Sequence, residues 1–171
     1  GDIGSAIALA AAGRALKSYN DSLSAECLTI AQKVWNENVA KKTESQNTGE
    51  SSEFPAFFGR SMSVGQEANL TIELLLATKD KKYSDYLAKI WPEVRKNLNV
   101  SRRMSFGTSS TRTLLKAIPY MGENYKNDMR LLAVTAKKQL DSISSTNPYG
   151  VPLGQGGFYT QGGNFAMVDW S

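Results

Sequence analysis

The chain has 171 residues with an apolar content of 41 % and carries 20 basic against 16 acidic side chains, a net charge of +4. This length predicts one domain with a hydrophobic core, and no apolar run approaches the roughly 18 residues that a membrane-spanning helix needs. Because the sequence has no histidine and only one cysteine, Cys27, a histidine-based triad, a histidine-ligated metal and an intrachain disulfide are excluded, and any catalysis must rest on carboxylates.

Hydrophobic periodicity is helical along almost the whole sequence. The first predicted helix covers residues 3–18 and the second runs from a cap at Asp21 or Ser22 to about Ala40. The first helix is predicted to present an apolar stripe of Ile7, Ala11, Ala15 and Leu16. The second is predicted to place one apolar side inward, made of Leu23, Cys27, Ile30, Ala31, Val34 and Trp35. The polar segment 41–52 is predicted to be an exposed loop, held against the body by the aromatic cluster 54–60.

Four further helices are predicted, over residues 63–78, from Asp80 onwards, over about 108–120 and over about 125–144. The third is predicted to bury Ala68, Ile72, Leu75 and Leu76. Pro92 is expected to kink or split the fourth helix, and a seventh is expected after Asn164. No strand alternation is visible, so consecutive helices joined by short turns predict an all-α fold of antiparallel helical hairpins in a single domain, residues 1–171.

The segment 147–164, NPYGVPLGQGGFYTQGGN, is rich in glycine and contains three aromatic residues. Glycine lets a backbone come close to a ligand, and Tyr149, Phe158 and Tyr159 supply flat apolar faces. A binding loop and an ordinary surface turn both fit this composition. A cluster of basic residues likewise fits either a phosphate-contacting patch or a solvated helix face; it consists of Arg95, Lys96, Arg102, Arg103 and Arg112.

Three blocks together resemble glycoside hydrolase family 9, the inverting cellulases built on an (α/α)₆ barrel. They are AIALAAAGRALKSYNDSLSAECLTIAQKVW at residues 6–35, QEANLTIELLLATKDKKYSDYL at residues 66–87, and NPYGVPLG with GGNFA towards the end. The resemblance covers almost the whole chain and implies about half of such a barrel, a central part of a larger catalytic domain. Half a barrel leaves apolar edges open, so self-association is expected.

The resemblance implies hydrolysis of β-1,4-linked glucans by an inverting mechanism that uses one carboxylic acid and one carboxylate. In the family these groups belong to an Asp-Ala-Gly-Asp segment and to a Glu after an Arg- and His-containing loop. Neither segment occurs here, so no catalytic residue is assigned, and this chain alone is expected to be inactive. Its acids are interpreted as residues of helix starts or polar faces, Glu53, Glu67, Glu73, Asp85, Glu93, Glu123 and Asp128. Asp169 lies beside apolar residues in a helix expected to line the barrel, and it fits either an acid of the site or, as favoured here, a capped or paired structural acid.

The candidate sugar-contacting residues are the aromatics Phe106, Tyr149, Phe158 and Tyr159, and the polar residues Gln161 and Asn164. In the family a Trp stands at the position of Gln161 and another at that of Phe106, so one stacking face is lost and one is kept. Family members often use an Asp-Glu pair for a structural calcium. Here Gln66 replaces the Asp, so no metal and no cofactor are expected, and Glu67 is interpreted as a helix N-terminal charge.

The expected partner is a β-glucan or a related oligosaccharide, with no nucleic acid and no membrane. The resemblance implies a secreted, periplasmic or cell-surface protein. The alternative, favoured by the basic cluster and the missing catalytic groups, is a non-enzymatic helical-hairpin scaffold that binds protein or RNA. The loops around Tyr149 and Asn164 have no evident use in such a scaffold.

Overall fold

The computed structural model describes residues 3–48, 63–98 and 109–145. These residues form helices joined by short turns, and none of them is in a strand. The predicted all-α fold is therefore confirmed. The chain divides into two compact units, Gly1–Asn97 and Leu98–Ser171.

The first unit contains four helices, α1 (Ile3–Leu16), α2 (Asp21–Thr48), α3 (Val64–Thr78) and α4 (Lys81–Asn97). Helix α3 is central, because α1, α2 and α4 all pack against it, and α1 also packs along α2. The helices thus form two hairpins in chain order, α1 with α2 and α3 with α4. In the turn between α1 and α2, the backbone N–H groups of Tyr19 and Asn20 both donate to the Leu16 carbonyl at 2.9 Å.

Helix α1 buries its smallest residues and contacts α2 closely at one of them, Gly13. Ala6, Ala10 and Gly13 are buried, and the Ser24 hydroxyl donates to the Gly13 carbonyl at 2.6 Å. The predicted stripe on α1 is therefore wrong in its position: Ile7, Ala11 and Leu16 are half-buried, and Ala15 is exposed. Close approach of two helices needs small side chains at the contact, which moves larger ones to its edges.

The apolar side predicted for α2 is confirmed only along its centre. Cys27, Ala31 and Trp35 are buried, and Val34 is half-buried. Leu23 and Ile30 are each 43 % exposed, which contradicts their predicted burial. They flank the buried stripe rather than belonging to it.

Helix α3 begins with a capping box. Ser63 accepts a hydrogen bond from the backbone N–H of Gln66, whose side chain accepts one from the backbone of Ser63. At the other end, Lys79 takes the left-handed conformation (φ 60°) and its N–H bonds to the Leu75 carbonyl. The predicted burial of Ala68, Ile72 and Leu75 is confirmed, whereas Leu76 is only half-buried.

Two predicted helix limits are corrected. Helix α2 continues to Thr48, so residues 41–48 are helical and not part of a loop. Helix α4 runs unbroken through Pro92, which is exposed. Proline removes one backbone hydrogen bond, but Ile90, Trp91 and Val94 are buried on both sides of it and hold the helix in place.

The second unit contains α5 (Ser109–Lys116), a short 3₁₀-helix (Ile118–Tyr120) and α6 (Glu123–Ser145). The fifth helix was predicted to run to about residue 120. It is α-helical only as far as Lys116, and residues Ile118–Tyr120, which include Pro119, form a 3₁₀-helix. The Tyr125 hydroxyl, on α6, donates to the Leu114 carbonyl on α5 at 2.8 Å. Burial raises the pKa of Tyr125. In the three described ranges, no helix is both long and apolar enough to cross a bilayer.

The close contact at Gly13 predicts that alanine substitutions at Gly13 and Gly65 change the stability in opposite directions. A Cβ added at Gly13 would lie 2.7 Å from Leu28 Cγ and 3.1 Å from the Ser24 carbonyl oxygen, whereas one at Gly65 would meet nothing within 4 Å. Gly13→Ala should therefore lower the free energy of unfolding by roughly 1–3 kcal/mol, despite the better helix propensity of alanine. Gly65→Ala should raise it by up to about 1 kcal/mol. Urea denaturation measures both changes, and equal effects at the two positions would contradict the close helix contact.

Candidate functional site

The six candidate sugar-contacting residues all lie outside the described residues. They are Phe106, Tyr149, Phe158, Tyr159, Gln161 and Asn164, and Asp169 lies outside them as well. Their assignment stays a prediction. Among the described residues, Glu67 in the first turn of α3 is a buried acid with several polar partners.

Glu67 is the centre of these interactions. It lies in the first turn of α3, as predicted, but it is buried, with 4 % of its surface exposed, and not on a polar face. One carboxylate oxygen, Oε2, lies 3.0 Å from Lys42 Nζ. The other, Oε1, accepts a hydrogen bond from the Tyr86 hydroxyl. Both oxygens of the carboxylate are thus engaged within the protein.

Lys42 reaches Glu67 because α2 extends past the predicted end of that helix. Its ammonium group also lies 3.5 Å from Glu93 Oε2, so it bridges carboxylates on α3 and α4. Burial acts to lower the pKa of Lys42, but the hydrogen bond and charge of Glu67, assisted by Glu93, outweigh it and raise that pKa overall. The ammonium group therefore stays charged at neutral pH.

An aromatic layer continues from this charge cluster into the core. The Trp35 indole N–H donates to the Thr71 hydroxyl at 2.8 Å, and that hydroxyl donates to the Glu67 carbonyl at 2.8 Å. The Trp35 ring packs edge-on against Tyr83 and Tyr86, with centroids 4.9 and 5.1 Å apart. We call the whole set the Glu67 network: Trp35, Lys42, Glu67, Thr71, Tyr83, Tyr86 and Glu93.

A second buried carboxylate lies further along α3. Glu73 Oε2 is 3.2 Å from Arg14 Nη2 on α1, with side-chain exposures of 6 % for Glu73 and 42 % for Arg14. Glu73 was also predicted to lie on a polar face, which is wrong. The sequence gives little signal for either ion pair, because the partners are 59 and 25 residues apart and belong to different helices.

The basic cluster is only partly within the described residues. Arg95 and Lys96 are exposed in the last turn of α4. The structure does not describe Arg102, Arg103 or the side chain of Arg112. Tyr83 and Trp91 are buried and Tyr86 is half-buried, so the tyrosines packed near Trp35 serve the core rather than an exposed stacking surface.

Among the described residues, the buried carboxylates act as counter-ions rather than as an open acid–base pair. Both buried ones, Glu67 and Glu73, have a cation within 3.2 Å. Within ranges 3–48, 63–98 and 109–145, no group of three or more acidic or cysteine side chains is arranged to hold a metal ion. The geometry fits a supporting framework of helices.

Comparison with known families gives the identity of that framework. The model of glycosyl hydrolase family 9 matches residues 3–171. The chain belongs to glycosyl hydrolase family 9. Searches of curated proteins and of solved structures gave no match. This family consists of glycoside hydrolases that act on β-glucans and have an (α/α)₆ barrel, and its enzymes are typically extracellular. The helical hairpins of this chain fit part of such a barrel.

Tyr86 of the Glu67 network leads to a prediction about alkaline pH. Burial, then the hydrogen bond to Glu67 and the nearby negative charges, raise the pKa of Tyr86 above its ordinary value of 10.0. The folded protein therefore keeps this proton where the unfolded chain loses it, so stability should be complete below about pH 10 and fall as the pH rises further. Tyr125 contributes in the same direction.

Tyr86→Phe should consequently lower the stability at pH 7 by about 1.5 kcal/mol, because Glu67 loses a hydrogen bond, and should make the loss of stability above pH 10 shallower. Urea denaturation at several pH values from 7 to 11.5 measures both effects. Tyr19→Phe is the control, since Tyr19 is 91 % exposed. An unchanged pH dependence in Tyr86→Phe would refute this role of the hydroxyl.

Proposed function

We propose that residues 1–171 are a central part of an inverting glycoside hydrolase that acts on β-1,4-linked glucans. The observation that carries this proposal is the family match over residues 3–171. The helical hairpins of the described residues support it. They form one continuous part of a larger catalytic domain in this proposal, with apolar barrel edges that favour self-association when the part is isolated.

The catalytic pair belongs to other segments of the polypeptide in this proposal. Inversion needs a carboxylic acid and a carboxylate about 6.5–9.5 Å apart, with room for a water molecule between the base and the sugar. The buried carboxylate of Glu73 forms an ion pair with Arg14, and that of Glu67 forms one with Lys42. These two acids are therefore poor candidates for the catalytic pair, which supports placing it elsewhere.

The contribution of this chain to substrate binding is assigned to its predicted loop residues. Phe106, Tyr149, Phe158 and Tyr159 would stack on the apolar faces of pyranose rings. Gln161 and Asn164 would exchange hydrogen bonds with sugar hydroxyls. No cofactor and no metal enter this mechanism.

The compartment follows from the substrate. Polymeric glucans occur outside the cytoplasm. This favours a secreted, periplasmic or cell-surface enzyme, in line with the typical location of the family. The scaffold alternative rests on the basic cluster, of which only Arg95 and Lys96 have described side chains.

The binding part of the proposal is tested by titration calorimetry of the 171-residue chain with a soluble β-1,4-linked gluco-oligosaccharide. Weak binding with a millimolar-range dissociation constant is expected. Tyr149→Ala, Phe158→Ala and Tyr159→Ala should each weaken binding by about 3- to 10-fold through loss of a stacking face. Tyr19→Ala is the matched control, an exposed tyrosine in the turn between α1 and α2.

Absence of heat on protein that circular dichroism shows to be folded would contradict sugar binding. RNA binding that weakens steeply with salt, without any response to sugar, would instead support the scaffold alternative.

The reaction part is tested on the full polypeptide that contains these residues. Hydrolysis of a β-1,4-linked oligosaccharide, followed by proton NMR in the first minutes, should show the α-anomer as the initial product, because inversion turns a β-linkage into an α-hemiacetal. Initial formation of the β-anomer would overturn the inverting mechanism. Failure to cleave any β-1,4-glucan would overturn the proposed activity itself.

A further inference from the structure

The family resemblance implies a structural calcium at a position that includes Glu67, and the residues of this chain do not fit that ion. Calcium takes six to eight oxygen ligands at about 2.3–2.6 Å, preferably with several negative charges. Glu67 offers one carboxylate, with one oxygen 3.0 Å from the Lys42 ammonium group and the other bonded to Tyr86. A dication bound at this carboxylate would lie directly beside a positive charge.

The neighbouring oxygens are also in use. Gln66 stands where the family has an aspartate, and its side-chain oxygen lies 3.4 Å from the Ser63 backbone nitrogen and 3.2 Å from the Ser63 hydroxyl. Ser63 and Gln66 use these groups to cap the N-terminus of α3. The first turn of α3 therefore supplies a neutral amide and an already paired carboxylate, which is a poor ligand set for calcium.

We infer that the Lys42 ammonium group replaces a bound cation at the start of α3. The group lies between Glu67 on α3 and Glu93 on α4, at 3.0 and 3.5 Å, and is carried by the extended end of α2. A single internal cation thus links three helices at the point where a metal would otherwise neutralise the buried carboxylate. The stability of this region is independent of calcium as a result.

Thermal unfolding of the full polypeptide, in excess calcium and in excess chelator, tests this inference. Any calcium bound elsewhere affects all variants equally, so the informative quantity is the difference between their calcium responses. Glu67→Gln should show the same calcium-induced shift in Tm as the wild type. Lys42→Met should lower Tm by roughly 4–10 °C in both conditions, because it leaves Glu67 without its cation.

Two controls separate the loss of this cation from general damage. Lys81→Met breaks an exposed pair with Asp85, with exposures of 81 % and 62 %, and should change Tm by less than about 1 °C. Lys42→Arg keeps the charge and should retain most of the wild-type Tm. If Lys42→Met cost no more than Lys81→Met, the inference would be wrong.

Equilibrium dialysis against radioactive calcium gives an answer that needs no folded Lys42 variant. The wild type and Glu67→Gln should bind the same number of calcium ions per chain. One additional ion in the wild type, or a calcium-induced rise in Tm that Glu67→Gln abolishes, would overturn the inference and assign a calcium site to Glu67.

Discussion

The first unit depends on the neutralisation of two carboxylates inside it. Helix α3 is enclosed by three other helices, yet it carries Glu67 and Glu73, whose side chains are each only 6 % exposed. An unpaired charge in such a position costs several kcal/mol. Arg14 comes from α1 and Lys42 from α2, so the enclosure of α3 requires both helices to be in place. Because the two cations are partly exposed, each pair contributes less than a fully buried one.

This requirement bears on why α2 continues past Ala40 to Lys42. Residues 41–48 have the polar composition of a loop, and no apolar periodicity continues into them. Lysine, glutamate and glutamine are nevertheless good helix formers, and the ion pair of Lys42 with Glu67 fixes the helix at this point. The continuation of α2 past Ala40 is therefore supported by a contact with a residue 25 positions away, which a local sequence pattern does not contain.

Other parts of the fold could be predicted where local rules decide the outcome. Helix α3 begins close to the predicted position, where Ser63 and Gln66 form a cap, a contact between near neighbours. The buried face of α1 could not be predicted, because the sequence AIALAAAGRAL is apolar on almost every side of the helix and therefore indicates no single buried face. Close packing at Gly13 and Ser24 selects that face. In the site, family-level patterns suggested the loop residues around Tyr149 and Asn164, whereas the Glu67 network follows from tertiary contacts alone.

The arrangement of charges also bears on how a family 9 enzyme would use this part of its chain. Catalytic and binding groups act only when their positions are fixed to within a fraction of an ångström, which requires rigid supporting elements. The Glu67 network supplies such rigidity, because Lys42 on α2 and Tyr86 on α4 both bind the Glu67 carboxylate on α3, and Trp35 on α2 packs against the Tyr86 ring. An acid recruited for this purpose is unavailable for catalysis. Acidic residues thus have two different roles in the proposed enzyme. A carboxylate paired with a cation stabilises the framework, whereas the catalytic carboxyl groups must remain unpaired and accessible to the sugar.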